Sequence, residues 1–268
     1  MRAKKSLGQN FLQDETVIKR IIDALDVRPD ETVVEIGPGH GELTAQLIEK
    51  AAAVIAIEFD RDLIASLKNR FSQNESFTAL NEDVLSVDLS RLIAENLGSE
   101  ISNLKLIANL PYNISTPILQ RLIDQRSLFS RFVLMFQREV VERITAAPGG
   151  KDRGFLSVMV EDAFDAEYLF DVPPQAFRPV PKVWSAVVRL TPKSARIKDE
   201  ILFRKILSIS FSQKRKNIQN NLKGAYPNAS GLLESAGIDS RRRAETLTLN
   251  EWGKLIDSIA NENDRASI

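Results

Sequence analysis

Three glycines in five residues, set directly after a β-branched run, constrain this chain more than any other feature. Thr32-Val-Val-Glu-Ile36 reads as a short strand, and Gly37-Pro-Gly-His-Gly41 follows it without a gap. From Glu42 to Lys50, Leu43, Leu47 and Ile48 recur at helical spacing. The glycines therefore occupy the turn where a strand hands over to a helix. Glycine there permits positive φ and lets a ligand approach the backbone closely. A plain tight turn is the competing reading, since GxGxG alone is weak.

The surroundings favour a ligand. Residues 53–57 form a second apolar run, and Asp60 can cap a helix to Arg70 with Leu63, Ile64 and Leu67 on one face. Strands follow at 77–80, 104–108 and 131–136, with a helix from about Ser115 to Asp124. This alternation describes βαβ units around a mostly parallel sheet. Residues 155–170 and 183–190 read as closing strands. The prolines of Val172-Pro-Pro174, with Pro179 and Pro181, mark a loop between them. After Thr191-Pro192 only helical patterns remain, near 201–209, 215–223, 229–236 and 251–260. The expected division is an α/β domain over residues 1–193 and a small all-helical domain over 194–268.

Glu58 ends the second strand, where a carboxylate can bond both hydroxyls of a ribose. Asp83 follows the third, where a side chain can reach an adenine amino group. Three features at successive strand ends line one crevice, which is where open α/β sheets bind ligands. Pro38 removes one N–H from the turn and so weakens a pyrophosphate cradle. A nucleoside cofactor without phosphate, such as S-adenosylmethionine, does not need that donor. Val34-Glu-Ile-Gly-Pro-Gly-His-Gly-Glu-Leu-Thr44 resembles motif I of class I S-adenosylmethionine-dependent methyltransferases, which have Rossmann-like folds. His40 reads as a turn residue near the cofactor's amino acid end rather than as a base.

Asn109-Leu-Pro-Tyr112 follows the fourth strand. A packed tyrosine after a proline turn is its plainest reading, but the position is where a substrate should sit. Adenine N6 is a poor nucleophile because its lone pair is delocalised into the ring. The side-chain carbonyl of Asn109 and the backbone carbonyl of Leu110 can accept its two N–H bonds and favour the charge that develops on methylation. Pro111 stiffens the backbone, and Tyr112 can stack on a base flipped out of its helix. Attack on a sulfonium methyl needs positioning more than acid/base groups.

Further segments resemble one family, the ribosomal RNA adenine N6-dimethyltransferases. Lys5-Ser-Leu-Gly-Gln-Asn-Phe-Leu12 with Asp14 is similar to its N-terminal motif, and Asn109-Leu-Pro-Tyr-Asn-Ile-Ser-Thr-Pro117 to its motif IV. Val133-Leu-Met-Phe-Gln-Arg-Glu-Val140, Pro173-Pro-x-x-Phe177-x-Pro179-x-Pro181-Lys-Val183-x-Ser185 and Phe211-Ser-Gln-Lys-Arg-Lys216 continue the likeness. The resemblance implies dimethylation of two adjacent adenosines in the 3′-terminal hairpin loop of small-subunit ribosomal RNA, on an assembling subunit, with S-adenosylmethionine as cofactor. It assigns cofactor contacts to Asn10, Leu12, Gly37, Gly39, Glu58, Asp83 and Asn109. It assigns the target base to Asn109, Leu110, Pro111 and Tyr112, with Phe177 sandwiching the adenine; a core phenylalanine is an equal reading of Phe177. The related large-subunit enzymes of the erythromycin-resistance group and a catalytically retired assembly factor are the alternatives. The form of motif IV and the extended tail favour the small-subunit group, and intact Gly37, Glu58, Asp83 and Asn109 disfavour retirement.

Net charge is zero over 268 residues, with 36 basic and 36 acidic side chains. The balance is uneven, because residues 191–268 hold 14 basic and 9 acidic groups. Local patches decide whether phosphate is attracted. Lys4 and Lys5, Lys214-Arg-Lys216, and Arg241-Arg242-Arg243 are the RNA-binding candidates, although charge runs are often solvated faces. The family commonly has Tyr where this chain has Arg153, expected to put a guanidinium beside the substrate face. With no cysteine and one histidine, disulfides, thiolate metal sites and sites built on histidine alone are excluded; no metal is expected, although carboxylates could still hold magnesium. No apolar run matches a signal or a membrane span, so a cytoplasmic, monomeric enzyme is expected, with an organellar location after transit-peptide removal left open.

Overall fold

In the computed structural model, residues 4, 8–97, 104–111 and 114–266 are described. The strands are β1 (Phe11–Leu12), β2 (Thr32–Ile36), β3 (Ala53–Glu58), β4 (Phe77–Asn81), β5 (Leu104–Asn109), β6 (Phe129–Gln137), β7 (Phe164–Val172), β8 (Phe177–Arg178) and β9 (Ser185–Pro192). Seven of them form one sheet in the order β4-β3-β2-β5-β6-β9-β7, and β1 pairs with β8. Every pairing from β4 to β6 is parallel, whereas β9 runs antiparallel to β6.

Chain order moves outward from β2 to β4, then returns to the other side of β2 as β5. The reversal makes the carboxyl ends of β2 and β5 a topological switch point, where a crevice opens. Central parallel strands are covered on both faces and so carry continuous apolar runs rather than alternation. Accordingly Val33 and Val34 of β2, Val54, Ile55, Ala56 and Ile57 of β3, and Leu106 and Ile107 of β5 are buried. Each such aliphatic side chain larger than alanine contributes on the order of 1.5–3 kcal/mol.

The helices beside the sheet are α1 (Glu15–Leu25), α2 (Glu42–Ile48), α3 (Arg61–Arg70), α4 (Leu89–Leu97) and α5 (Ser115–Asp124). Asp14 caps α1, accepting from the N–H groups of Thr16 and Val17. Val17, Ile18, Ile21, Ile22 and Leu25 then bury one face of that helix. Asp60 caps α3 by accepting from Asp62 N–H at 3.1 Å.

The chain divides into two compact units, Met1–Val141 with Asp165–Pro192, and Glu142–Phe164 with Lys193–Ile268. The second unit is thus not the tail alone. It holds α7 (Phe155–Ala163), α8 (Glu200–Ser210), α9 (Ile218–Leu222), α10 (Ala229–Ser235) and α11 (Leu249–Ala266), while α6 (Arg138–Ile144) straddles the division. One expectation is corrected here. Residues 155–163 are helix, and the strand begins only at Phe164. Leu156, Val158, Met159, Val160 and Ala163 are all buried, and a helix apolar on every side has the same sequence pattern as a buried strand. The Ser157 hydroxyl accepts the N–H of Gly154 at 2.9 Å and fixes the helix start.

Arg153 is corrected too. It is 1% exposed, donates to the Ala146 carbonyl at 2.9 Å and pairs with Glu161. A third contact reaches the Leu247 carbonyl. Its guanidinium is an internal strut of the helical unit and faces no substrate surface.

Candidate active site

The glycine turn is built as its sequence requires. Gly37, Gly39 and Gly41 have φ of 69°, 59° and 87°, a region side chains disfavour. Space is also short. A Cβ on Gly37 would stand 3.3 Å from the backbone oxygen of Asn109, and one on Gly39 would stand 2.9 Å from the Phe11 ring. The turn at the end of β2 therefore lies close to the backbone at the end of β5, with little room for a side chain between them.

A cavity of about 270 Å³ opens at this switch point. Asn10, Leu12, Gly37, Gly39, Glu58, Asp83, Asn109, Leu110, Pro111 and Phe177 all line it. Three sequence motifs and two strand-end carboxylates thus share one wall. Tyr112 and Lys5 lie outside the described residues.

Each lining group has a determined setting. Glu58 accepts from the N–H of Asp60 at 2.9 Å and from the backbone of Gly39. Burial raises its carboxyl above the ordinary value, and these backbone bonds oppose the rise. A carboxylate has about four acceptor sites, so capacity remains for ligand hydroxyls. Asp83 lies two residues past β4, and its carboxylate accepts from Leu85 N–H at 2.9 Å and Ser86 hydroxyl at 3.2 Å. Asn10 donates to the Gly8 carbonyl at 3.2 Å. Phe177 is 1% exposed and packs in the same apolar core as Leu12, so it is both a core side chain and a cavity wall.

Behind the turn, Glu35 is buried and accepts from the Thr44 hydroxyl at 2.6 Å. Burial pushes its carboxyl up to about 7. His40 packs against Phe11 with ring centroids 4.1 Å apart and the rings tilted, and burial lowers its pKa, which favours the neutral imidazole. It is a packed turn residue, as its sequence setting indicated.

A nucleoside cofactor fits this cavity. The glycine turn leaves room that a side chain would fill, Glu58 supplies acceptors, and Ile36, Ile57, Leu63, Val84 and Leu85 give apolar walls. Among the described residues no cluster of three His, Cys, Asp or Glu side chains could hold a metal ion.

Two contributions had no sequence signal strong enough to find them. Phe11 supports Gly39 from a two-residue strand, too short for any periodicity. Lys4 and Gln9 both bond the Asp60 carboxylate, at 2.7 and 3.0 Å, and so latch the N-terminal segment to α3.

The basic candidates separate by their partners. Lys4 is paired with Asp60 and Asp62. Arg241 is paired with Asp239, Arg242 with Glu251, and Arg243 approaches Glu245 at 3.9 Å. Lys214, Arg215 and Lys216 are exposed, and among the described residues they have no ion-pair partner.

The chain is similar to known proteins over nearly its whole length. Residues 1–261 match the family described as ribosomal RNA adenine dimethylase. The chain is 45% identical over 264 residues to the ribosomal RNA small subunit methyltransferase A of Syntrophotalea carbinolica, covering 96% of this chain and 97% of the relative. It is 43% identical over 263 residues to the same-named protein of Geobacter metallireducens, covering 95% and 94%. The crystal structure of a dimethyladenosine transferase from Plasmodium falciparum superposes with a TM-score of 0.83 at 26% identity, over 94% of this chain and 98% of that one. The 23S rRNA methyltransferase ErmE gives 0.69 at 25% identity, over 94% and 100%.

Proposed function

The chain belongs to the ribosomal RNA adenine dimethylase family, and from that premise we propose that it dimethylates N6 of two adjacent adenosines in the 3′-terminal hairpin loop of small-subunit ribosomal RNA. One observation carries the chemistry. The glycine turn lies so close to the Asn109 clamp that a Cβ on Gly37 would stand 3.3 Å from the Asn109 backbone oxygen, and both segments line a single cavity, so donor pocket and base pocket adjoin.

S-adenosylmethionine, when bound, supplies an electrophilic methyl on a sulfonium. Glu58 would hold the ribose hydroxyls, Asp83 would accept from the adenine amino group, and Asn10, Leu12, Gly37 and Gly39 would complete the cradle. For the substrate, the Asn109 side-chain carbonyl and the Leu110 carbonyl accept the two N6–H bonds and fix the direction of attack. Pro111 stiffens that carbonyl, Tyr112 stacks on the flipped base, and Phe177 walls the opposite side. The nitrogen becomes acidic once alkylated and releases its proton to solvent, so no general base is required. Lys214, Arg215 and Lys216 are the favoured phosphate contacts, because they are exposed and no carboxylate among the described residues neutralises them.

The names of the curated relatives support the small subunit over the large one. No helix among the described residues is long and apolar enough to cross a membrane. A cytoplasmic monomer acting on assembling subunits, without a metal, follows the same reading. The test is direct. Purified protein and cofactor are incubated with unmethylated small and large subunits, and the adenosines are analysed by mass spectrometry. Dimethyladenosine at two adjacent positions of small-subunit RNA is expected; modification confined to large-subunit RNA, or none, would refute the assignment.

A further inference from the structure

The chain has two tryptophans in opposite settings. Trp252 is fully buried in the helical unit, whereas Trp184 is 46% exposed. Val180 and Val183 in the same loop are also exposed, and Lys182 beside them faces solvent. Exposed apolar groups gathered in one place mark interaction sites, and the position of this patch points to its partner.

Trp184 immediately precedes β9, whose first residue, Ser185, pairs with Gln137 at the end of β6. The Trp184 carbonyl accepts from the N–H of Arg138 at 2.9 Å, which ties the backbone carrying the indole to the sheet rim. Asn109, Met135 and Val187 form one row across β5, β6 and β9. Trp184 lies two strands away from Asn109 and three residues nearer the carboxyl rim. At about 4.8 Å between strands and 3.3 Å per residue, its Cα stands roughly 14 Å from that of Asn109. The loop carrying it begins at Phe177, in the cavity wall. The patch therefore continues the rim from which the target base is approached, at the reach of a neighbouring nucleotide.

We infer that Trp184 is a stacking platform for a nucleotide adjoining the target adenosine, with Lys182 supplying charge for its phosphate. This rests on the ribosomal RNA reading above. Flipping a base out of a loop removes stacking from its neighbours, and an exposed indole face replaces what is lost. An aromatic interleaved with a lysine suits a nucleic acid strand.

Kinetics on unmethylated small subunits test the inference. Trp184→Ala should raise KM for subunits about 10-fold or more, while cofactor affinity and melting temperature stay as in the wild type. Trp184→Phe should retain most of the affinity. Trp184→Leu should fail as alanine does, since leucine keeps apolar bulk without a π face. A wild-type KM for Trp184→Ala would overturn the inference. So would rescue by leucine, which would assign the patch to an apolar protein contact, or an equal fall in melting temperature for Ala and Phe, which would make the indole a packing group. Inactive wild-type enzyme would instead bring down the ribosomal RNA reading, and this inference with it.

Discussion

Leu12 and Phe177 are direct antiparallel partners in a two-stranded sheet of their own. Both are buried and both line the cavity. The N-terminal motif and the proline loop are therefore one piece of wall, although nearly the whole sheet separates them in sequence. Neither half can hold its position alone, because a two-residue strand has almost no stability without its mate.

Truncating Phe177 should thus disturb the fold as well as the site. Phe177→Ala is expected to destabilise the protein by about 3–5 kcal/mol, and Phe177→Leu by clearly less. Urea unfolding monitored by circular dichroism provides the comparison. Equal stability of wild type and alanine variant would mean that Phe177 packs against ligand only.

Glu58→Ala should weaken S-adenosylmethionine binding by roughly 1.5–3 kcal/mol, through loss of charge-assisted bonds to the ribose. Calorimetry without RNA reads this directly. An unchanged affinity would remove Glu58 from the cofactor site.

At the clamp, Asn109→Ala should slow methyl transfer on the order of 10²-fold or more with the fold intact. Tyr112→Phe should be far milder than Tyr112→Ala, because stacking needs the ring and not the hydroxyl. Single-turnover rates separate these cases, and equal losses in both tyrosine variants would point to the hydroxyl.

Neutralising Lys214, Arg215 and Lys216 together should weaken subunit binding and flatten its dependence on salt, since counterion release scales with phosphate contacts. Cofactor affinity should hold. A filter-binding salt titration with an unaltered slope would make this run an ordinary solvated face.

Glu35 gives a prediction in pH. Burial raises its carboxyl, the Thr44 hydrogen bond opposes the rise, and the charge of Glu58 adds to it, for a value of about 7 against 4.5 for the free group. Between those values the folded chain holds a proton that the unfolded chain has released. Stability from this group is therefore full below the window and falls as pH rises through it. Glu35→Gln abolishes the titration, so its stability relative to wild type should improve across the window by up to about 3 kcal/mol. Denaturant melts below and above that range would show a constant difference if the carboxyl is not perturbed.

How much of this was legible in the sequence depended on the range of each interaction. Local patterns revealed the parallel core from Thr32 onward and the helix Ser115–Asp124, because apolar periodicity and glycine turns are set within a few residues. The motif residues gathered at one crevice because strand ends must gather there. The β1–β8 pair escaped notice, since two residues carry no period. The helix at Phe155–Ala163 was misread for a different reason, as an element apolar on all sides does not display its pitch. Arg153 looked like a surface substitution, yet its partners Ala146, Glu161 and Leu247 come from three other places in the helical unit.

The contact between Gly37 and Asn109 has a bearing on product distribution. The two segments extend the paired strands β2 and β5 and approach through main chain, so the offset of the two proposed pockets is set by the sheet rim rather than by a side-chain torsion. On the proposed reading, an adenine that has received one methyl would meet that wall bulkier and with a single N–H for two acceptor carbonyls. The methylamino group would have to turn about the C6–N6 bond to present its remaining N–H and lone pair to the donor. The monomethylated base is accordingly expected to be the weaker ligand of the two substrates. Processivity would then be a race between that turn and departure from the pocket, and monomethyladenosine in released RNA would record each race lost.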